Sequence, residues 1–154
     1  MNKFSYVDSS ALVKLYITET GSAWMKVYND TEENVLAIAD IGRTEVAATF
    51  AGKKRGKHIS ADGYTAIMDD FRKNARDEYR ILSVTSARVD EAINLTMRYK
   101  LRGYDAIHLA CALHLHQSLD AIGLGPLTFI AADNDLLVAA EAEGLQTENP
   151  NHYP

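Results

Sequence analysis

The strongest constraint on how this chain can fold is a set of four short apolar runs separated by longer helix-patterned segments. Residues 3–8, 35–38, 81–84 and 127–132 are rich in Val, Ile, Leu and aromatic side chains. Runs this short suit strands, while the stretches between them carry apolar residues at helical spacing. Strands alternating with helices predict an α/β domain with a mostly parallel sheet. The expected helices cover 9–18, a segment carrying Trp24, Met25, Val27 and Tyr28, then 40–53, a segment from Ser60 or Asp62 to about Glu78, 86–100, 104–117 and 133–143. Ser22 and Asp40 are expected N-caps, and Gly144 is the expected glycine after the last helix.

Four acids stand at the mouths of these segments. Asp8 closes the first run, Glu45 opens Glu45-Val46-Ala47-Ala48, Asp105 opens Asp105-Ala106-Ile107-His108-Leu109-Ala110, and Asp133 follows the last run. Carboxylates in apolar surroundings are costly unless something neutralises them. Strand ends and helix starts share one rim of an open parallel sheet, and ligands bind there. A fold that gathers the four would call for a divalent cation, and with it hydrolysis of phosphate esters. Each acid taken alone is explained as a helix N-terminal charge; the set of four points to chemistry.

The 154 residues suit one domain, residues 1–154, and 47% of them are apolar, enough for a real core. The formal charge of −5 argues against a protein that coats nucleic acid, although clustered carboxylates account for part of that count. Cys111 is the sole cysteine, which excludes an intrachain disulfide and fits a reducing, cytoplasmic location. No apolar stretch is long enough to span a bilayer, so no membrane role is expected.

Together the segments resemble the PIN-domain ribonucleases, most closely the VapC-type toxins of toxin–antitoxin pairs. The residues that carry the resemblance are Tyr6-Val7-Asp8-Ser9-Ser10-Ala11-Leu12-Val13-Lys14, Arg43-Thr44-Glu45-Val46-Ala47-Ala48, Leu101-Arg102-Gly103-Tyr104-Asp105-Ala106-Ile107-His108-Leu109-Ala110, and Ala132-Asp133 through Gly144. The resemblance covers nearly the whole chain and implies a three-layer α/β/α domain around a short sheet. It implies that Asp8, Glu45, Asp105 and Asp133 hold Mg²⁺, with Mn²⁺ as a substitute, and that RNA is the substrate. It also implies a cognate antitoxin and a homodimer. One departure is visible: where the family often has Thr or Ser two residues before the last acid, this chain has Ala131.

Other features carry less. His108, Cys111, His114 and His116 are close in sequence, but their spacing does not place them together on one helix face, so zinc is disfavoured and Cys111 is expected in the core. Ser9 and Ser10 are expected to cap the first helix, with Ser9 also a candidate substrate contact. The basic loop of Lys53, Lys54 and Arg55 is a candidate phosphate contact, and Arg72, Lys73, Arg76 and Arg80 continue the trend. Asp135 is expected to face solvent. The competing functions are a housekeeping RNA-processing nuclease of the same fold, and a non-catalytic or receiver-like binding domain. A receiver would want an acid beside Asp8 and a lysine after the 127–132 run, and neither is present.

Overall fold

The computed structural model describes residues 1–154. Strands β1 (Lys3–Val7), β2 (Asn34–Ala39), β3 (Arg80–Leu82), β4 (Thr128–Ile130) and β5 (Gln146–Glu148) form one sheet in the order β3-β2-β1-β4-β5. Every pairing is parallel, with Tyr6 opposite Ala37 on one side and Phe129 on the other. The sheet is thus wholly parallel. Its helices are α1 (Ser9–Leu12), α2 (Ser22–Asp30), α3 (Asp40–Arg55), α4 (Ala61–Asp77), α5 (Ser86–Arg98), α6 (Gly103–Ala121) and α7 (Asn134–Ala142).

Alternation along the strands divides the core in two. Tyr6, Ala39 and Phe129 point to one face, where they pack with Leu95, Leu109 and Leu136 from α5, α6 and α7. Val7, Ile38 and Ile130 point to the other, packing with Leu12, Met25, Val46, Phe50 and Phe71 from α1 to α4. This is the period-2 pattern of a strand buried on both faces, and the result is the three-layer α/β/α arrangement expected from the sequence. Cys111 lies in the first core, as expected.

Several local expectations are corrected. The 9–18 segment is α1 followed by a 3₁₀ turn at Val13–Leu15, and the chain then turns away. Asp8, rather than Ser9 or Ser10, caps α1 by accepting from the Ser10 amide. Ala39 rather than Asp40 occupies the N-cap of α3, and Gly21 rather than Ser22 that of α2. Gly21 has φ +86°, and a Cβ there would stand 2.5 Å from the Pro150 carbonyl oxygen. Glycine is therefore required both by the backbone and by the close approach of the C-terminal turn. Ser60 caps α4, leaving Asp62 in its first turn. Strand β5 was not expected: Gln146-Thr147-Glu148 has no apolar pattern and becomes a strand through pairing with β4.

The connections run outward from β1 through β2 to β3, then return to build β4 and β5 on the other side. The strand order therefore reverses between β1 and β4. In open α/β sheets the crevice outside such a switch point is the place for a ligand. Asp8 follows β1 and Asp133 lies three residues beyond β4. No helix is long and apolar enough to cross a membrane.

Candidate active site

The switch-point crevice holds the four acids as two pairs, each linked by one intervening side chain. Asp8 leaves β1 with its backbone amide bonded to the Ile130 carbonyl at 2.9 Å, so it is anchored between the two central strands. Its side chain is 3% exposed. Oδ2 accepts from the Ser10 hydroxyl at 2.5 Å and from the Ser10 amide at 3.2 Å. The same hydroxyl accepts from the Ala132 amide at 3.0 Å, tying Asp8 to the loop that leads into Asp133. Oδ1 is buried and has no hydrogen-bond partner.

His108 connects Asp8 to Glu45. It lies on the inward face of α6, is fully buried, and places Nε2 3.7 Å from Asp8 Oδ1. Nε2 hydrogen-bonds Glu45 Oε1, which projects from the second turn of α3. On the opposite side of the ring, Nδ1 meets the Tyr6 hydroxyl at 2.5 Å. Burial works against a charge on His108, but the hydrogen bond to Glu45 and the negative charges of Asp8, Glu45 and Asp105 outweigh it and raise its pKa. Burial also holds the Tyr6 hydroxyl well above its ordinary pKa, so it stays protonated.

Arg102 connects the other two acids. It precedes α6, and its Nε donates to Asp105 Oδ2 at 3.0 Å while an Nη lies 3.8 Å from Asp133 Oδ2. The guanidinium is largely exposed, but Asp105 is 9% exposed. Burial raises the Asp105 pKa; Arg102 opposes this, while nearby Asp8 and Asp133 reinforce it. Asp133 caps α7 by accepting from the Leu136 amide at 3.2 Å. Asp135 is exposed and reaches toward Lys100.

The donor set suits a hard divalent cation: four carboxylates, one with a buried oxygen that nothing satisfies. No three of these side chains are gathered closely enough to hold a metal ion as they stand. The contacts above explain why. Glu45 is turned onto His108, and Asp105 and Asp133 are engaged by Arg102.

The remaining sequence candidates fall elsewhere. Ser9 is half-buried beside Asp8. Lys53, Lys54 and Arg55 lie at the far end of α3, about 12–15 Å along the helix from Glu45. Lys54 rests on the Tyr64 ring instead. Nearer the crevice, Arg43, Arg72 and Arg76 line a groove of about 1000 Å³ between α3 and α4, floored by Ile41, Met68 and Phe71. Ala131 is fully buried and offers no hydroxyl. Sequence reasoning assigned no role at the acids to His108, Tyr6 or Arg102, and for Ser10 it offered helix capping or, as the alternative to Ser9, a contact with substrate or a metal-bound water. Their signal was weak: a hydroxyl two residues after Asp8, and a histidine three residues after Asp105 in an apolar helix that carries two more.

Comparison with known proteins shows the family of the chain. The chain is 30% identical over 142 residues to Ribonuclease VapC45 of Mycobacterium tuberculosis (strain CDC 1551 / Oshkosh), covering 90% of each. Its fold superposes on a toxin–antitoxin complex from Klebsiella pneumoniae with a TM-score of 0.59 at 18% identity, over 95% of this chain and 97% of that one. It also superposes on Mycobacterium tuberculosis VapC20, a sarcin–ricin loop cleaving toxin, with a TM-score of 0.61 at 16% identity, over 93% and 96%. The PIN domain matches residues 5–142, a span that contains Asp8, Glu45, Asp105 and Asp133. By that match and that relative, the chain belongs to the PIN domain family.

Proposed function

We propose that residues 1–154 form a single Mg²⁺-dependent endoribonuclease domain, the toxin half of a toxin–antitoxin pair. The observation that carries this reading is the buried, unpartnered Asp8 Oδ1 in a crevice shared with Asp105, Asp133 and the Glu45–His108 pair. A ribonuclease relative and structural neighbours that include a toxin–antitoxin complex support it.

Asp8, Glu45, Asp105 and Asp133 would hold the ion, with Mn²⁺ as a substitute. When bound, the ion supplies an activated water and charge relief at the scissile phosphate. The protein supplies the rest. Ser10 holds the Asp8 carboxylate in one orientation, and His108 holds Glu45. Arg102, exposed at the rim, can exchange carboxylates for a phosphodiester oxygen, an exchange that costs little because both partners are charged-group acceptors. The groove lined by Arg43, Arg72 and Arg76 offers the RNA backbone three guanidinium groups, of which Arg43 is paired with Asp40 and Arg76 with Asp77. Ser9 is placed to meet substrate beside Asp8. Lys53, Lys54 and Arg55 are placed to meet only the distal part of a long RNA. A cognate antitoxin would silence the site by offering a cation to the acids, and the toxin would act as a homodimer in the cytoplasm.

The test is cleavage of total cellular RNA with Mg²⁺ or Mn²⁺, with EDTA and Asp8→Asn as controls. Cleavage is expected only with metal, and Asp8→Asn is expected to lower it at least 100-fold while the circular dichroism spectrum is unchanged. Cleavage that persists in EDTA would overturn the reading.

A further inference from the structure

We infer that Tyr6 and His108 form a buried relay that positions Glu45, so that a phenol with no contact to the acids sets the rate of the reaction. The inference rests on the nuclease reading for its functional consequence, but the relay itself is a matter of hydrogen bonds.

Counting donors determines how the relay is wired. The Tyr6 hydroxyl meets two nitrogens, the Ala39 backbone amide at 3.1 Å and His108 Nδ1 at 2.5 Å. The amide can only donate, so the Tyr6 oxygen accepts from it. The hydroxyl hydrogen then has one acceptor within reach, His108 Nδ1. A neutral ring that accepts at Nδ1 carries its proton on Nε2, and Nε2 faces Glu45. In this wiring every donor in the chain Ala39, Tyr6, His108, Glu45 has an acceptor. A charged ring also carries a proton on Nε2, so Glu45 receives a hydrogen bond in either form.

The packing holds this wiring rigidly. Tyr6 and His108 are both fully buried. The Tyr6 ring stacks on Phe129 at 5.5 Å and meets His108 edge-on at 5.8 Å. Ala39 is the N-cap of α3, the helix that carries Glu45. Tyr6 therefore controls Glu45 twice, once through the ring and once through the start of its helix. Gly42, one turn before Glu45, lets the ring approach: a Cβ there would stand 3.3 Å from His108 Cε1. These are positioning residues in the sense that supporting hydrogen bonds orient a metal-binding carboxylate.

The test uses the full chain with four substitutions: Tyr6→Phe, His108→Gln, His108→Leu and Gly42→Ala. Glutamine can still donate an N–H toward Glu45, whereas leucine cannot. Alanine at position 42 removes no hydrogen bond and is favoured in a helix by about 1 kcal/mol, so the fold is expected to survive it. Three quantities are measured: kcat and KM for RNA cleavage, Mn²⁺ affinity by calorimetry, and the His108 tautomer from ring ¹⁵N shifts without metal. The expected result is an Nε2–H ring in the wild type and a changed tautomer balance in Tyr6→Phe. His108→Leu is expected to lower kcat about 100-fold and Mn²⁺ affinity about 10-fold, with KM little changed. Tyr6→Phe and Gly42→Ala are expected to lower kcat about 10-fold, and His108→Gln to retain most of the activity that leucine loses.

A neutral ring protonated on Nδ1 and not on Nε2 in the wild type would overturn the relay. So would folded Tyr6→Phe and Gly42→Ala proteins with wild-type kcat and Mn²⁺ affinity. If His108→Leu does not fold, the other three variants still decide. A wild-type protein that neither binds Mn²⁺ nor cuts RNA would overturn the nuclease reading and the relay's catalytic role, while the ring shifts would still show whether the hydrogen bonds exist.

Discussion

Arg102 lies across the mouth of the crevice with Nε 3.0 Å from Asp105 Oδ2, in the position of a built-in counter-ion for the acids. A cation held there must withdraw before the same carboxylates bind a metal. Replacing it with alanine is therefore expected to tighten metal binding. The guanidinium is exposed although Asp105 is buried, and ion pairs with an exposed partner are weak, so the gain should be no more than about five-fold. Calorimetric titration with Mn²⁺ at low ionic strength measures it. RNA cleavage by the same variant is expected to fall, because the phosphodiester loses a guanidinium partner.

Ser10→Ala removes the hydroxyl that bonds Asp8 Oδ2 and accepts from the Ala132 amide. A partly buried amide loses its acceptor, which costs about 1–3 kcal/mol. Urea denaturation is expected to show that loss with an unchanged slope. Cleavage should fall about 10-fold, because Asp8 keeps only the Ser10 amide, at 3.2 Å, to orient it.

The raised pKa of Asp105 has a sign that can be checked. Its folded-state pKa lies above the usual 3.8 because burial, with help from Asp8 and Asp133, disfavours the charged form. The ionised side chain therefore costs stability at neutral pH. That cost is relieved as pH falls through the folded-state pKa toward 3.8. In EDTA, Asp105→Asn is expected to raise Tm at pH 7.5. The difference from wild type should shrink on acidification. In Mn²⁺ the order should reverse, since asparagine cannot supply the charge the ion needs.

Cys111 sits in the core between α5 and α6, where burial pushes its thiol up to about 11 despite nearby Arg88. Little thiolate exists at pH 8, and the sulfur is covered. Alkylation by iodoacetamide in native buffer is expected to be at least 100-fold slower than in urea, as followed by mass spectrometry.

The architecture was legible in the sequence because it rests on short-range pattern. Tyr6 and Val7 alternate between the two buried faces of the sheet, helix-spaced apolar residues follow, and each acid stands at a strand end or within the first two turns of a helix, so a parallel sheet with acids toward one rim follows from local chemistry. The caps were less legible. Asp40 and Ser22 are good capping residues, yet Ala39 and Gly21 hold those positions: α3 starts directly at the end of β2, and the close approach of Pro150 admits only glycine at position 21.

Local pattern says nothing about which distant groups meet. Tyr6 and His108 are 102 residues apart, Glu45 and His108 are 63, and Ser10 and Ala132 are 122. Strand β5 has no apolar signal and exists because β4 leaves an edge to pair. The sequence alone determined the alternation of strands and helices and the parallel direction of the strands, since these follow from periodicity, while the three layers and the choice of four acids came from the resemblance to the PIN family. Only the tertiary structure decided that Arg102 and His108 occupy those acids, because a hydrogen bond between remote segments depends on strand order, and strand order is settled when the whole core packs.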